Sequence, residues 1–468
     1  MAGKISEIAV AAQVADLGAL TTAFEVTVDL TTAPVTKRVL AGTLASWLAT
    51  VNLRTNDIGV PGGQGFGVGT CPGPLPAGMI TLSGTLDPAS DSYGNYGFSD
   101  GSVMVWIPAF YYKYGTGANG FAVNIVSIKA FSAYATVALA NAAGYALHRA
   151  FYDGGAVQQG VFVDKYLCSN NAGTASSIKN GNPLSSAAAH NPFSGLTAAP
   201  PNFYYGAVAV AKTRGANFFP NSRFIQSALA LLALAHAQSS TSTAWNAWYD
   251  ATGITNFPKG CNNNALGDAN DAAILYVTDG YVAASPKTGS ANLFSRTTHN
   301  GQSCGVADLN GAMWEIALGL ATDDTGATYY TLKTATAMKN VTGGTGGATD
   351  LWGAAGIAAL YDSLGATYGA ATATNTNKGF GAVVQVLSEA TTGLAWQAAG
   401  SGIPLVGGVG GTNAFGNDYM YDARPAAMCP FVGGAWYNGA IAGVWALYLA
   451  DVRGSSNDNV GCRAALYL

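Results

Sequence analysis

Gly301-Gln302-Ser303-Cys304-Gly305 fits the G-x-S-x-G pattern in which a serine hydroxyl sits on a sharp strand-to-helix turn beside N–H groups that stabilise an oxyanion. Asp308, Asn310 and Gly311 follow at once and mark a turn rather than a helix start, so this serine is not expected to be a nucleophile. Asp308 and Glu315 have the types needed for acid–base work, with hydrogen bonding inside turns and strands as the competing role. The four histidines, His148, His190, His236 and His299, never fall four apart, which excludes a helical zinc pair. Asn262 to Asp271 concentrates side-chain oxygens, and calcium is the one cofactor worth weighing. The segment lacks the one-three-five spacing of an EF-hand loop, however, and a solvated loop is the favoured account. Gly59 to Gly69 is a G-x-G-x-G run with no strand before it, no lysine after it and no downstream acidic partner, so it is not expected to cradle phosphates. Six cysteines are scattered with no C-x-x-C pair. They read as buried thiols of a chain made in a reducing cytoplasm, with a disulfide between distant members as the alternative.

The remaining chemistry-bearing segment is Gly433 to Leu468. A frame of Gly433-Gly434-x-Trp436 and Asn459-Val460-Gly461-x-Arg463-Ala464 encloses Tyr437, Asn438, Ile441, Trp445, Tyr448 and Leu449, which follow neither an alternating nor a helical burial period. Rigid aromatics among Gly, Ala, Ser and Asn suit a recognition surface, because they give contact area at low side-chain entropy cost. The bland alternative is a Gly-rich pair of core strands.

The elements that must position this segment are mostly short strands. The clearest helix is Ser222 to Gln238, with Phe224, Leu231, Leu234 and Ala235 on one face. Trp245, Trp248 and Tyr249 follow at near-helical spacing and are expected to pack in the core. Phe24 to Leu30 alternates apolar with polar residues, and Val35 to Leu40 follows after Thr-Thr-Ala-Pro, which predicts a hairpin, with a short helix beyond it. Residues 52–100 are rich in Gly and Pro and read as a connector. Residues 343–401, dominated by Gly, Ala and Thr, read as an inserted loop region.

The C-terminal frame resembles that of the formylglycine-generating-enzyme-like branch of the C-type lectin fold. Asn300 to Glu315, with Asp308-Leu309-Asn310-Gly311-Ala312-Met313-Trp314-Glu315, is similar to a second block of that family. Val105 to Lys113 with Gly160 to Tyr166 is similar to its opening strands. The resemblance covers roughly residues 100 to 468. It implies an α+β, C-type-lectin-like domain over residues 101–468, in which Asp308 and Glu315 hold turns and strands and Trp436 belongs to the frame. Family oxidases bind copper through two loop cysteines; Asn438 and Gly443 stand at those places here, so oxidase chemistry is not expected. Lys4 to Val51 resembles the virion-attachment segment of phage tail fibres, which makes residues 1–51 an attachment segment. The same fold and frame serve as variable proteins of diversity-generating retroelements, where chosen codons are diversified.

Together these resemblances imply a phage tail fibre or tip protein that is not an enzyme. It would be made in the host cytoplasm, carried on the virion tail beside other tail or baseplate proteins, and assembled as a homotrimer. It would recognise a host cell-surface receptor, whether protein, pilus or polysaccharide, through Tyr437, Asn438, Ala440, Ile441, Trp445, Tyr448 and Arg453. A structural tail subunit without receptor binding is the runner-up.

Composition narrows the field independently. Of 468 residues, 49% are hydrophobic, enough for a sizeable core, while only 10% are charged, so surface polarity must come from amides, hydroxyls and backbone. Such a surface is common in oligomers and particle-bound proteins. The net charge of −4 with no Lys/Arg cluster argues against a nucleic-acid partner. Glu7 and Asp16 break any secretory h-region, and glycines with Asn438 interrupt the uncharged stretch from Pro430 to Ala450, so no membrane insertion is expected.

Overall fold

The computed structural model divides the chain into two units, residues 1–55 and 56–468. It describes strands 23–28 and 35–40 of the first unit. In the second it describes residues 56–196, 203–239, 260–338 apart from 283, 352, 357–365, 376–379, 391–402, 415–416, 418–439 and 442–468. In the first unit Ala23–Val28 and Val35–Leu40 pair antiparallel, Ala23 opposite Leu40 and Val28 opposite Val35. The short helix expected next to this hairpin, and Trp245, Trp248 and Tyr249, lie outside the described residues.

The second unit is mostly short strands and loops with few helices, and two six-stranded sheets organise it. The first runs Phe219–Pro220, Ala464–Leu466, Gly160–Asp164, Val103–Pro108, Asn95–Phe98, Met79–Thr81. Val103–Pro108 and Gly160–Asp164 read VMVWIP and GVFVD, apolar runs of the kind that a strand covered on both faces requires, the second closed by Asp164, which is buried against Arg214. Trp106 lies opposite Phe162, which in turn lies opposite Leu466, so the C-terminal strand is welded to the opening ones.

The Arg223–Ser239 helix is buried all round from Arg223 to Ala237, which makes it a central element rather than a surface one. Ser222 caps it, its Oγ accepting from the Ile225 N–H at 3.1 Å, so the helix begins one residue after the serine. Its Gln226 side chain donates to the Val444 carbonyl at 3.1 Å and ties the helix to the C-terminal loop. No helix among the described residues is long and apolar enough to cross a membrane.

Two expectations about organisation are corrected. Residues 56–100 are not a connector: Ile58, Phe66 and Val68 are fully buried, and the segment supplies two strands of the first sheet. Its glycines bring backbone against residues 299–302. The Asn300 amide donates to the Phe66 carbonyl at 2.9 Å, and a Cβ on Gly67 would stand 2.9 Å from His299 Nε2. The described parts of the 343–401 region are likewise built in. Tyr361–Gly365 joins Leu320–Thr322 and Tyr329–Leu332 in a three-stranded sheet, and Thr376–Gly379 edges the second six-stranded sheet. Gly393–Gly400 is a helix whose Trp396 donates to the Leu147 carbonyl at 2.8 Å.

The three blocks singled out in the sequence meet at Arg463. Its guanidinium grips Glu315 with two bonds of 2.9 and 3.0 Å and donates to the carbonyls of Asp164, Lys165 and Ala307 at 2.7–3.0 Å. Both side chains are sealed from solvent, and a buried pair is tolerated only when its hydrogen bonds are met in this way.

Candidate functional site

The second six-stranded sheet runs Thr376–Gly379, Tyr419–Asp422, Leu447–Tyr448, Phe431–Val432, Trp314–Ile316, Val460–Gly461. Neighbouring residues on a strand point to opposite faces. Met420, Leu447 and Val432 are cross-strand partners, fully buried on the core side. One residue along each strand, Tyr421, Tyr448 and Phe431 are partners on the opposite side. Trp314, on the strand next to that of Phe431, joins them. Tyr448 is the hub: its ring centroid lies 5.2 Å from Tyr421, 5.7 Å from Trp314 and 6.0 Å from Phe431, the last tilted by only 9°.

These rings wall a cleft of about 300 Å³, completed by Tyr437, Asn438, Asp451, Asn457, Asn459 and Val460. Tyr437 is 45% exposed and stands at its rim, while Tyr448 is half-buried within it. The Asn459 amide donates to the Tyr437 hydroxyl at 2.6 Å and fixes that ring. Burial pushes the Tyr448 phenol up to about 12, with the Asp451 carboxylate adding to the effect, so it stays neutral at physiological pH. The Asp451 carboxyl is itself raised above the usual range by burial, against a hydrogen bond from Ser455. The arrangement offers π faces, amides and one carboxylate, which is equipment for holding a ligand.

Of the residues singled out in the sequence, Tyr437, Asn438 and Tyr448 come together here. Asn438 is mainly a turn former, its Oδ1 accepting from the Ala435 N–H at 2.8 Å and its carbonyl from the Asn263 N–H at 3.0 Å. Ala440 and Ile441 lie outside the described residues. Trp445 and Arg453 are corrected: both point inward. A Cβ on Gly443 would lie 2.0 Å from Asp418 Oδ1, so glycine alone lets the chain close on that carboxylate, which accepts from the Trp445 N–H at 2.9 Å. The Trp445 ring then packs edge-on to Phe415. Arg453 is fully buried, donating to the Thr322 carbonyl at 2.6 Å and paired with Asp324 at 3.0 Å. Its role is that of a strut. Trp436 is buried against Leu167, Ile274 and Met313, in keeping with a frame residue.

Trp314, Tyr421, Phe431, Asp451, Asn457 and Asn459 were missed as site residues. The signal for Trp314 and Asn459 was present, since both sit inside the frame motifs. Tyr421 and Phe431 carried none, because their strands are too short to show a period.

The other candidates resolve into structure. Residues 298–313 form turns and bends with neither the strand before Ser303 nor the helix after it that an elbow needs. In the 262–271 loop Asp268 accepts from the Gly260, Asn270 and Asp271 N–H groups, at 2.6, 2.8 and 3.1 Å, and Asp271 pairs with Arg296. The carboxylates offered for calcium are thus occupied by backbone and arginine donors. The described residues hold no cluster of three or more His, Cys, Asp or Glu arranged for a metal. All six cysteines are buried free thiols.

No protein-family model matches the sequence. No curated protein matches it either. Among solved structures the chain is similar to three variants of one protein. For the Major Tropism Determinant I1 variant the TM-score is 0.30 at 12% identity, covering 78% of this chain and 63% of that one. The U1 variant gives 0.27 at 12%, covering 79% and 65%, and the M1 variant 0.28 at 12%, covering 78% and 63%. The chain therefore spans less than two thirds of those chains, and similarity at this level assigns neither a family nor a role.

Proposed function

We propose that this chain is a receptor-binding tail protein of a phage. In this reading residues 1–55 attach it to the virion, and the 56–468 unit, of C-type-lectin type, turns the Tyr437–Tyr448 cleft toward a host cell-surface receptor. The observation that carries the reading is that the frame motifs converge on the cleft. Trp314 comes from the Asp308 block, Tyr437 from the residue after Gly433-Gly434-x-Trp436, and Asn459 with Val460 from the closing block. A packed scaffold holding aromatics in a solvent-facing hollow suits recognition, and binding energy at such sites concentrates in a few aromatic side chains. A homotrimer would multiply weak single contacts without new ones.

The runner-up, a structural tail subunit, leaves the hollow without a purpose. An oxidase of the formylglycine-generating kind finds Asn438 and Gly443 where its thiolates belong, and neither an amide nor a hydrogen replaces a thiolate toward copper. Diversification of the terminal loop belongs to the same proposal; a template repeat and a reverse transcriptase beside the coding region would be its signature.

The test is retention on host cells by the full chain, comparing the parent with Tyr437→Ala plus Tyr448→Ala. Truncation at residue 100 is to be avoided, because it removes two strands of the first sheet. Loss of retention with unchanged circular dichroism supports the reading. Equal retention by folded parent and variant refutes the assignment of the cleft.

A further inference from the structure

The cleft is one-sided in charge. Among the described residues that line it, Asp451 is the one ionisable group besides the tyrosine phenols, and neither lysine nor arginine is among them. Asp451 takes part in no ion pair among the described residues. Arg453, two residues further on, is turned away and already bound to Asp324 and the Thr322 carbonyl. An anion would find no cationic donor among the described lining residues. A sugar needs several donors and acceptors for its hydroxyls; Asn438 Oδ1 is committed to the Ala435 N–H and Asn459 Nδ2 to the Tyr437 hydroxyl, which leaves Asn459 Oδ1 and the Tyr421 and Tyr448 hydroxyls to serve it, so a sugar is the competing ligand that the test includes. The feature that favours a cation over a neutral ligand is the set of ring faces around Tyr448 beside one carboxylate that forms no ion pair among the described residues. Aromatic rings carry negative faces that attract a cation lying within about 6 Å of the centroid, the arrangement that recognises substituted ammonium groups. The volume of about 300 Å³ lies at the lower end of ligand pockets and suits a head group rather than an extended chain.

We infer that the Tyr448 cleft binds an organic cation of the alkylammonium class, held between the faces of Tyr421, Tyr437 and Tyr448 and neutralised by Asp451. This rests on the receptor-binding reading and specifies the group on the receptor that the cleft grips. Cationic and neutral ligands of the same shape must then differ, since the attraction is electrostatic and not only apolar.

The experiment uses the full chain, with choline as the quaternary probe, n-butylammonium as the primary one, 3,3-dimethylbutan-1-ol as the neutral isostere of choline and methyl glucoside as the sugar probe. Binding is followed by calorimetry and by saturation-transfer NMR. Choline or n-butylammonium is expected to bind at least about fivefold more tightly than the neutral isostere, and the tighter of the two identifies a quaternary or primary group. Asp451→Asn is expected to weaken cation binding by about fivefold and to leave the isostere unaffected. Tyr448→Phe keeps the ring and should retain binding, whereas Tyr448→Ala should lose it. Should Tyr448→Ala fail to fold by circular dichroism, Asp451→Asn and Tyr448→Phe decide. Equal binding of isostere and cations, tighter binding of methyl glucoside, or no cation binding at tens of millimolar each overturns the inference. Loss of host-cell retention on replacing Tyr437 and Tyr448, without cation binding, removes this inference and leaves the receptor reading standing. Cation binding with undiminished retention by that variant does the reverse.

Discussion

Asp308 sits at the start of the block that carries Trp314 into the cleft, and its replacement by asparagine gives a sharp prediction. Its backbone adopts φ +59, a left-handed conformation that Asp and Asn tolerate better than other non-glycine residues. Oδ2 accepts from the Gly289 N–H at 2.6 Å, while Oδ1 is buried with no partner among the described residues. Burial raises the carboxyl from 3.8 to about 6, opposed by the Gly289 hydrogen bond and by Arg463. A carboxyl whose folded value lies above its unfolded one stabilises the fold fully below pH 3.8, and that contribution is lost as the pH rises through about 6. At about 1.4 kcal/mol per unit the full loss is about 3 kcal/mol, most of it, about 2 kcal/mol, between pH 4 and pH 7. Asparagine keeps the left-handed turn and an oxygen for the Gly289 N–H but does not titrate. Asp308→Asn should therefore gain about 2 kcal/mol relative to the parent on going from pH 4 to pH 7, whatever its constant offset. His148 and His299, lowered by burial to about 3 and about 4, pull stability the other way, since the unfolded chain takes up protons below about 6.5. They are common to both proteins and cancel in the difference. Urea midpoints at pH 4, 5, 6 and 7 with an unchanged m-value measure it. A parent–variant difference that is flat across this range would mean Asp308 does not titrate as its burial requires.

Arg463→Met should cost about 3–5 kcal/mol by leaving Glu315 charged and unpaired in the core, and the double change Arg463→Met with Glu315→Met should recover part of it; urea unfolding of the three proteins checks both, and additivity of the two single changes would sink the account. Gly443→Ala pushes a methyl onto the Asp418 carboxylate, so it should cost about 1–3 kcal/mol and weaken ligand retention without touching a cleft residue; a variant as stable as the parent contradicts the close approach. Limited proteolysis near Thr55 and Asn56 should release a stable 56–468 fragment, whereas a chain begun at residue 101 should be degraded; mass spectrometry of the resistant core distinguishes the two.

How much could be read in advance follows the physics of each signal. The Ser222 helix was legible because a cap and a long apolar run are local properties, and the 24–40 hairpin because alternation and a Pro break are too. The frame blocks were legible as blocks, though only the fold reveals that Arg463, Glu315 and the Asp164 strand are one knot. Residues 56–100 misled because Gly and Pro describe a loose linker and a backbone pressed against another backbone in the same letters. Trp445 and Arg453 misled because a display loop and a strut look alike until Gly443 is seen to let the chain fold onto Asp418.

The cleft itself depends on register. Leu447–Tyr448 and Phe431–Val432 are two-residue strands, and shifting the first by one position would turn Leu447 toward the cleft and bury Tyr448. Nothing in such short segments specifies that choice locally. It is imposed from outside, by Gly433 lying against the Leu309 carbonyl, Gly434 against Ala442 and Gly443 against Asp418. The outward placement of Tyr448 is thus set by the small residues that flank these strands rather than by the strands themselves.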